Sequence, residues 1–244
     1  MNRFWIAHAA VPGAAFALLM LVIAGSDLDT RIADALFYDR GANLWIGAHT
    51  AWANTWIHTG GRDVIRAIAL SALAVLLGGT FLERLRAWRR EAAFVALAMI
   101  LSIGLVGLLK HLSNVDCPWS LAGYGGTHPY IPLFGDRPDH LSRAACFPGA
   151  HSSSGFALMC FYFLLRERSA RAARVALGAG LAAGVLFAFG QEARGAHFLS
   201  HDLTSAVLVW YVQLGLHAGM LRHGIRYPEA ERAIDLTLQP RLTT

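Results

Sequence analysis

Three short stretches of the chain hold side chains that could do chemistry together. Lys110 closes an apolar run. His151 follows Pro148-Gly149-Ala150 and precedes Ser152, Ser153 and Ser154. Arg194, His197, His201 and Asp202 crowd into nine residues. These types point to an anionic substrate. Lysine and arginine bind phosphate by charge-assisted hydrogen bonds. A serine-rich helix start offers backbone N–H groups to an anion, which makes Ser152 and Ser153 candidate phosphate-binding residues. Two histidines can divide the hydrolysis of a phosphate ester: one attacks phosphorus, the other protonates the leaving oxygen. Neither role needs a metal or a cofactor. The same residues leave a second chemistry open. His197 and His201 stand at i and i+4 with Asp202 next, a spacing plausible for zinc. A metal-dependent hydrolase built on those three is the alternative, and Lys110 beside them argues against it by repelling a dication.

The elements that must position these residues are long and apolar. Of 244 residues, 55% are hydrophobic and 15% charged, whereas a soluble domain carries about 25% charged residues. A disordered chain, a coiled coil and a nucleic-acid-binding tail are excluded. Uncharged runs cover about 5–25, 64–82 (with Arg66 near one end), 92–109, 149–165, 175–190 and 203–221. About 20 apolar residues span a bilayer core as a helix, so the expected fold is all-α: a polytopic membrane protein with six transmembrane helices in one domain. The first run also has features of a signal peptide, but it is long for one, and its loss would leave an odd number of spans. A retained helix is expected.

Orientation follows from the arginines. Arg84, Arg86, Arg89 and Arg90 lie between runs two and three. Arg166, Arg168, Arg171 and Arg174 lie between runs four and five, and Arg222 and Arg226 follow run six. With Arg3 they fall on one side of a six-span chain, which is then cytoplasmic, with both termini inside. Lys110, the only lysine, falls on the other side with His151 and the 194–202 cluster. The basic surplus therefore reads as orientation, and no nucleic-acid partner is expected. Residues 27–38 read as a helix lying at the interface, and 222–244 as a polar, flexible tail. Trp45, Trp52, Trp56 and Trp119 suit an interfacial aromatic belt. His58, Gly60, Gly61 and Arg62 read as a loop turn in preference to a part of the substrate entrance, and His8 and His217 receive no role. A transporter is the least favoured reading, because its polar residues would sit near the midplane.

The pattern resembles the type 2 phosphatidic acid phosphatase superfamily, the lipid phosphate phosphatases. Its motifs read K-x6-R-P, P-S-G-H and S-R-x5-H-x3-D. Here they become Lys110 with Cys117-Pro118, then Pro148-Gly149-Ala150-His151, then Gln191 to His197 followed by Phe198-Leu199-Ser200-His201-Asp202. The resemblance covers runs three to six. It implies that His197 is the nucleophile, that His151 is the general acid, and that Lys110 and an arginine hold the phosphate. It also implies a substrate in the outer leaflet of the bacterial inner membrane, where membrane lipids surround the protein. Candidate substrates are lipid A, undecaprenyl diphosphate, phosphatidylglycerol phosphate and phosphatidic acid. Hydrolysis and transfer to another lipid would use the same site.

Three departures matter. Cys117 stands where the first motif has arginine, which makes Arg143 and Arg137 candidate substitutes. Gln191 stands at the third-motif arginine, and Arg194 lies one helical turn later, on the same face. His201 stands at the family's aspartate, leaving Asp202 or Asp116 to orient the nucleophile. An alternative alignment makes His201 the nucleophile and puts Ser205 at the acid position. Cys117 and Cys146 share the outer loop, where disulfides form. A Cys117–Cys146 bond closing that loop would contribute roughly 3 to 4 kcal/mol in the chain-entropy model, and would draw the first two motifs together.

Overall fold

The computed structural model describes residues 3–132 and 135–222; the tail expected at 222–244 lies, beyond its first residue, outside them. The described residues are mostly helical. Helix α1 is Arg3–Ser26. A short helix α2 follows at 28–37, then an antiparallel ribbon of β1 (Tyr38–Asp39) and β2 (Leu44–Trp45). Helix α3 covers 52–78, opening with wide π-helical turns over Trp52–Gly60. Helix α4 is Arg89–Ser113, α5 Ala150–Leu165, α6 Ala170–Ala193 and α7 Leu199–Leu216.

Helices α1, α4, α6 and α7 are long and apolar enough to cross a membrane. The other two expected spans fall short on that test for different reasons. Helix α3 carries Arg62, Asp63 and Arg66 in its first α-helical turns. Helix α5 has only 16 residues, and it is the centre of the bundle: Ser152 to Ala157, Met159, Cys160 and Phe163 are all buried. A helix walled in by protein need not match the full apolar thickness that a lipid-facing one must.

The core is Ile65 of α3, Phe94, Val95 and Met99 of α4, Ala157, Cys160 and Phe163 of α5, Phe187 of α6 and Leu214 of α7. Glycines let α5 and α6 approach backbone to backbone. A Cβ on Gly155 would stand 2.7 Å from the Ala183 carbonyl oxygen, and one on Gly180 would stand 2.7 Å from the Met159 nitrogen. Small residues at such crossings are how helices pack where no hydrophobic effect drives them together. Around this core Leu18, Leu21, Leu70, Leu108, Val175 and Val185 are exposed, which on this scale is the surface of a membrane protein. His8, given no role from sequence, bonds the Phe4 carbonyl and the Tyr162 hydroxyl, tying α1 to α5.

Helix α2 keeps an exposed face with Arg31, Asp34 and Leu36, as a surface helix would, and buries the other. Its Asp29, Ala33 and Phe37 are buried, and Ala33 and Phe37 join Tyr38, Trp45, Tyr124 and Phe198 in a second, aromatic core. This lid-like layer sits over the chain that joins α6 to α7.

Candidate active site

The C-terminal end of α4, the start of α5, the α6–α7 connection and the start of α3 meet at one end of the bundle. They enclose a cavity of about 600 Å³, lined by Lys110, His151, Arg194, His197 and Gln191 among others.

The α6–α7 connection explains how His197 reaches it. Helix α6 ends in a Schellman turn: Ala196 N–H donates to the Gln191 carbonyl and Gly195 N–H to that of Glu192, with Gly195 at φ +74°. Only glycine takes that left-handed conformation at little cost, and a Cβ there would also meet Trp45 at 2.5 Å. The chain leaves this turn with His197 facing the cavity, and α7 begins two residues later.

His197 Nδ1 lies 2.7 Å from Asp202 Oδ1, both groups being buried. Ser152 Oγ donates to the same carboxylate oxygen at 2.5 Å and to the Gly149 carbonyl. Successive helical residues are rotated by about 100°. That rotation decides between Asp202 and the residue before it. Asp202 points at His197, while His201 turns to a neighbouring face, edge-on to Phe147 and Phe198. His201 is buried and does not line the cavity. Ser205 bonds the Gly149 and His201 carbonyls rather than an imidazole, so it does not orient His201 as the alternative alignment requires. Asp116 is also accounted for, since Arg137 and His128 hold its carboxylate.

Gly149 is needed here for space. A Cβ on it would lie 2.3 Å from Asp202 Oδ1, 2.7 Å from Ser152 Oγ and 2.8 Å from His197 Nδ1. His151, two residues on, stacks on Phe187 at 4.6 Å, and its Nε2 is buried with no hydrogen-bond partner.

Several candidates fall elsewhere. The Ser152 hydroxyl is used on Asp202 and that of Ser153 on the Ala150 carbonyl of its own helix, and neither residue lines the cavity. Arg143 is spent on the His111 carbonyl, outside the cavity. Arg137 is spent on Asp116. Cys117 and Cys146 form the expected disulfide, with Cα atoms 5.1 Å apart, and both line the cavity wall. The three residues of the zinc alternative do not converge: His197 lines the cavity while His201 and Asp202 do not, and no group of three His, Cys, Asp or Glu side chains placed to hold a metal is found among the described residues.

From sequence, His58 and Arg62 rank as a turn ahead of a substrate entrance, and Arg66 has no role beyond marking the end of a span. They are helical rather than a turn, and all three line the cavity. Close approach at Gly61, where a Cβ would meet Phe187 at 2.5 Å, seats α3 against α6. His58 then lies 4.5 Å from His151 ring to ring and bonds Gln191, which in turn accepts from Arg194. Burial, then the charges of Arg194 and Arg62, hold His58 below the ordinary imidazole range. Their spacing of four was the available signal.

No curated protein and no solved structure gave a significant match. Residues 91–224, more than half of the chain, match the family described as the PAP2 superfamily. That match takes in Lys110, His151, Arg194, His197 and Asp202, and the chain therefore belongs to the type 2 phosphatidic acid phosphatase (PAP2) superfamily.

Proposed function

We propose that this protein is a membrane-embedded phosphatase that hydrolyses, or transfers, a phosphate group of a lipid phosphate or diphosphate through a phospho-histidine on His197. The observation that carries the reading is the His197–Asp202 hydrogen bond beside a cavity that also presents Lys110, Arg194 and His151. Asp202 fixes the proton of His197 on Nδ1, which leaves a lone pair on Nε2 for attack on phosphorus. Lys110 and Arg194 neutralise the phosphoryl oxygens. His151 protonates the leaving lipid oxygen, a role for which its unpaired Nε2 is suited. Water, or another lipid, then takes the phosphoryl group from His197. No metal is required by any step.

The family acts on phosphate esters, often of lipids, and the apolar helices fit a membrane protein. The finer placement is part of the proposal: six spans, both termini cytoplasmic, the cavity at the periplasmic face of a bacterial inner membrane, and substrate drawn from its outer leaflet. Lipid A, undecaprenyl diphosphate, phosphatidylglycerol phosphate and phosphatidic acid are the substrates to test. Phosphate release from each is measured with purified protein in detergent, with His197→Ala as the blank. Release by wild type that persists in EDTA and vanishes in His197→Ala and His151→Ala is the expected result. Full activity in either variant would overturn the assignment, and zinc-restorable loss in EDTA would favour a metal.

A further inference from the structure

The cavity holds more positive charge than one phosphate needs. Arg62, Arg66, Lys110 and Arg194 line it, and among the described residues no Asp or Glu does. A phosphate monoester brings at most about two negative charges at neutral pH, which Lys110 and Arg194 already match. Arg62 and Arg66 stand on a separate helix, outside the residues that match the family, one and two turns along α3 from His58. Asp63 is their shared partner, at 3.4 and 3.2 Å, so a single exposed carboxylate offsets two guanidiniums. Arginine stays charged at any working pH, and its planar fork suits phosphate oxygens. Arginines at a span end also serve as snorkelling anchors to bulk lipid. Anchors have no reason to line the cavity that contains His197, as these two do.

We propose that His58, Arg62 and Arg66 form a second anion subsite, which takes a second phosphoryl group of the substrate beside the one held by Lys110 and Arg194. The inference rests on the phosphatase reading and narrows it to substrates with two phosphoryl groups, a diphosphate being the simplest. In that case Nε2 of His197 bonds to the terminal phosphorus, and the bond from that phosphorus to the bridging oxygen breaks. The bonding pair stays on the bridging oxygen, which leaves as part of a lipid monophosphate. Its added negative charge falls to the two arginines. A water molecule then splits the phospho-histidine, its oxygen ending in orthophosphate and one of its protons on the released imidazole or phosphate.

Binding tests this without turnover. His197→Ala protein, purified in detergent free of anionic lipid, is titrated calorimetrically with inorganic pyrophosphate and with orthophosphate. We expect pyrophosphate to bind about tenfold tighter or better, and Arg62→Gln with Arg66→Gln to remove that preference. Asp63→Asn frees the two guanidiniums and is expected to raise the preference a few-fold, so the inference remains testable if the double variant fails to fold. Equal binding of the two anions by the parent protein, or a preference that R62Q/R66Q leaves intact, would overturn the subsite. In the otherwise wild-type enzyme, the same two substitutions should lower the ratio of kcat/KM for a lipid diphosphate over a lipid monophosphate about tenfold. If wild type releases phosphate from no lipid while the pyrophosphate preference holds and depends on Arg62 and Arg66, the phosphatase reading fails and the subsite stands.

Discussion

Asp202 meets His197 through one hydrogen bond, and in the proposed mechanism that bond decides which nitrogen is nucleophilic. Asp202→Asn keeps the shape and loses the charge that holds the tautomer. A fall in kcat on the order of a thousandfold or more is expected, as for other carboxylate-oriented histidines, with KM much less affected. Ser152→Ala removes only a second donor to that carboxylate, and should cost far less. Gly149→Ala is the sharper test of geometry. Its new Cβ would collide with Asp202, Ser152 and His197 together, and a displacement of about 1 Å at a reacting group can cost a hundredfold. Steady-state kinetics on the best lipid substrate check both; near-wild-type kcat in Gly149→Ala would refute the packing described here. Arg143→Ala, by contrast, should change kcat/KM by less than about threefold, since its guanidinium serves a carbonyl outside the cavity.

Between elements, two ties hold the site's parts in register. The first is Asp29 of α2, whose carboxylate accepts from Ser200 N–H at 2.9 Å and from the Ser200 hydroxyl, in the first turn of α7. It caps the helix that carries Asp202. Burial raises the Asp29 carboxyl above the ordinary aspartate range despite the two Ser200 bonds. A carboxyl with a raised folded-state pKa stabilises the fold most below its unfolded value of about 3.9, and that contribution is lost as pH rises through the folded value. Asp29→Asn keeps an acceptor and cannot ionise. Its melting temperature in detergent should therefore fall less than wild type's over that rise in pH. Asp29→Ala leaves the Ser200 groups unpaired and should cost about 1 to 3 kcal/mol at pH below the unfolded carboxyl value, and less as pH rises through the folded value. The second tie is Cys117–Cys146, which joins the end of the first motif to the strand of chain entering α5. Alkylation of non-reduced membranes should leave both thiols unlabelled. Cys117→Ser with Cys146→Ser should lower the unfolding midpoint by the equivalent of roughly 3 kcal/mol.

For the whole molecule, the prediction concerns sidedness. Single cysteines placed in 84–90 and in 166–174, in a Cys160→Ser background carrying the native disulfide, should be shielded from a membrane-impermeant thiol reagent in intact cells. Cysteines in 120–130 should react. Opposite labelling of 84–90 and 166–174 would break the six-span arrangement. The bundle is built to tolerate a short central helix, because α5 is surrounded by α4, α6 and α7, and apolar length is demanded only of helices that meet lipid.

Hydropathy and residue type alone carried the membrane class, the three motifs and the pairing of Cys117 with Cys146, because apolar runs, histidines and loop cysteines keep their meaning wherever the chain places them. Two neighbouring candidates, His201 and Asp202, could not be separated that way. One residue of helical rotation sends the first against Phe147 and the second onto His197, and that phase is set by where α7 begins after the Gly195 turn. Arg143 and Arg62 exchanged importance for a similar reason. Both are arginines near the same end of the bundle, but close packing at Gly61 brings α3 to the cavity while the His111 carbonyl holds Arg143 away from it. Composition and spacing determine which groups are present near a membrane face; only the packed helices decide which of them share a cavity, since that depends on contacts between residues far apart in the chain.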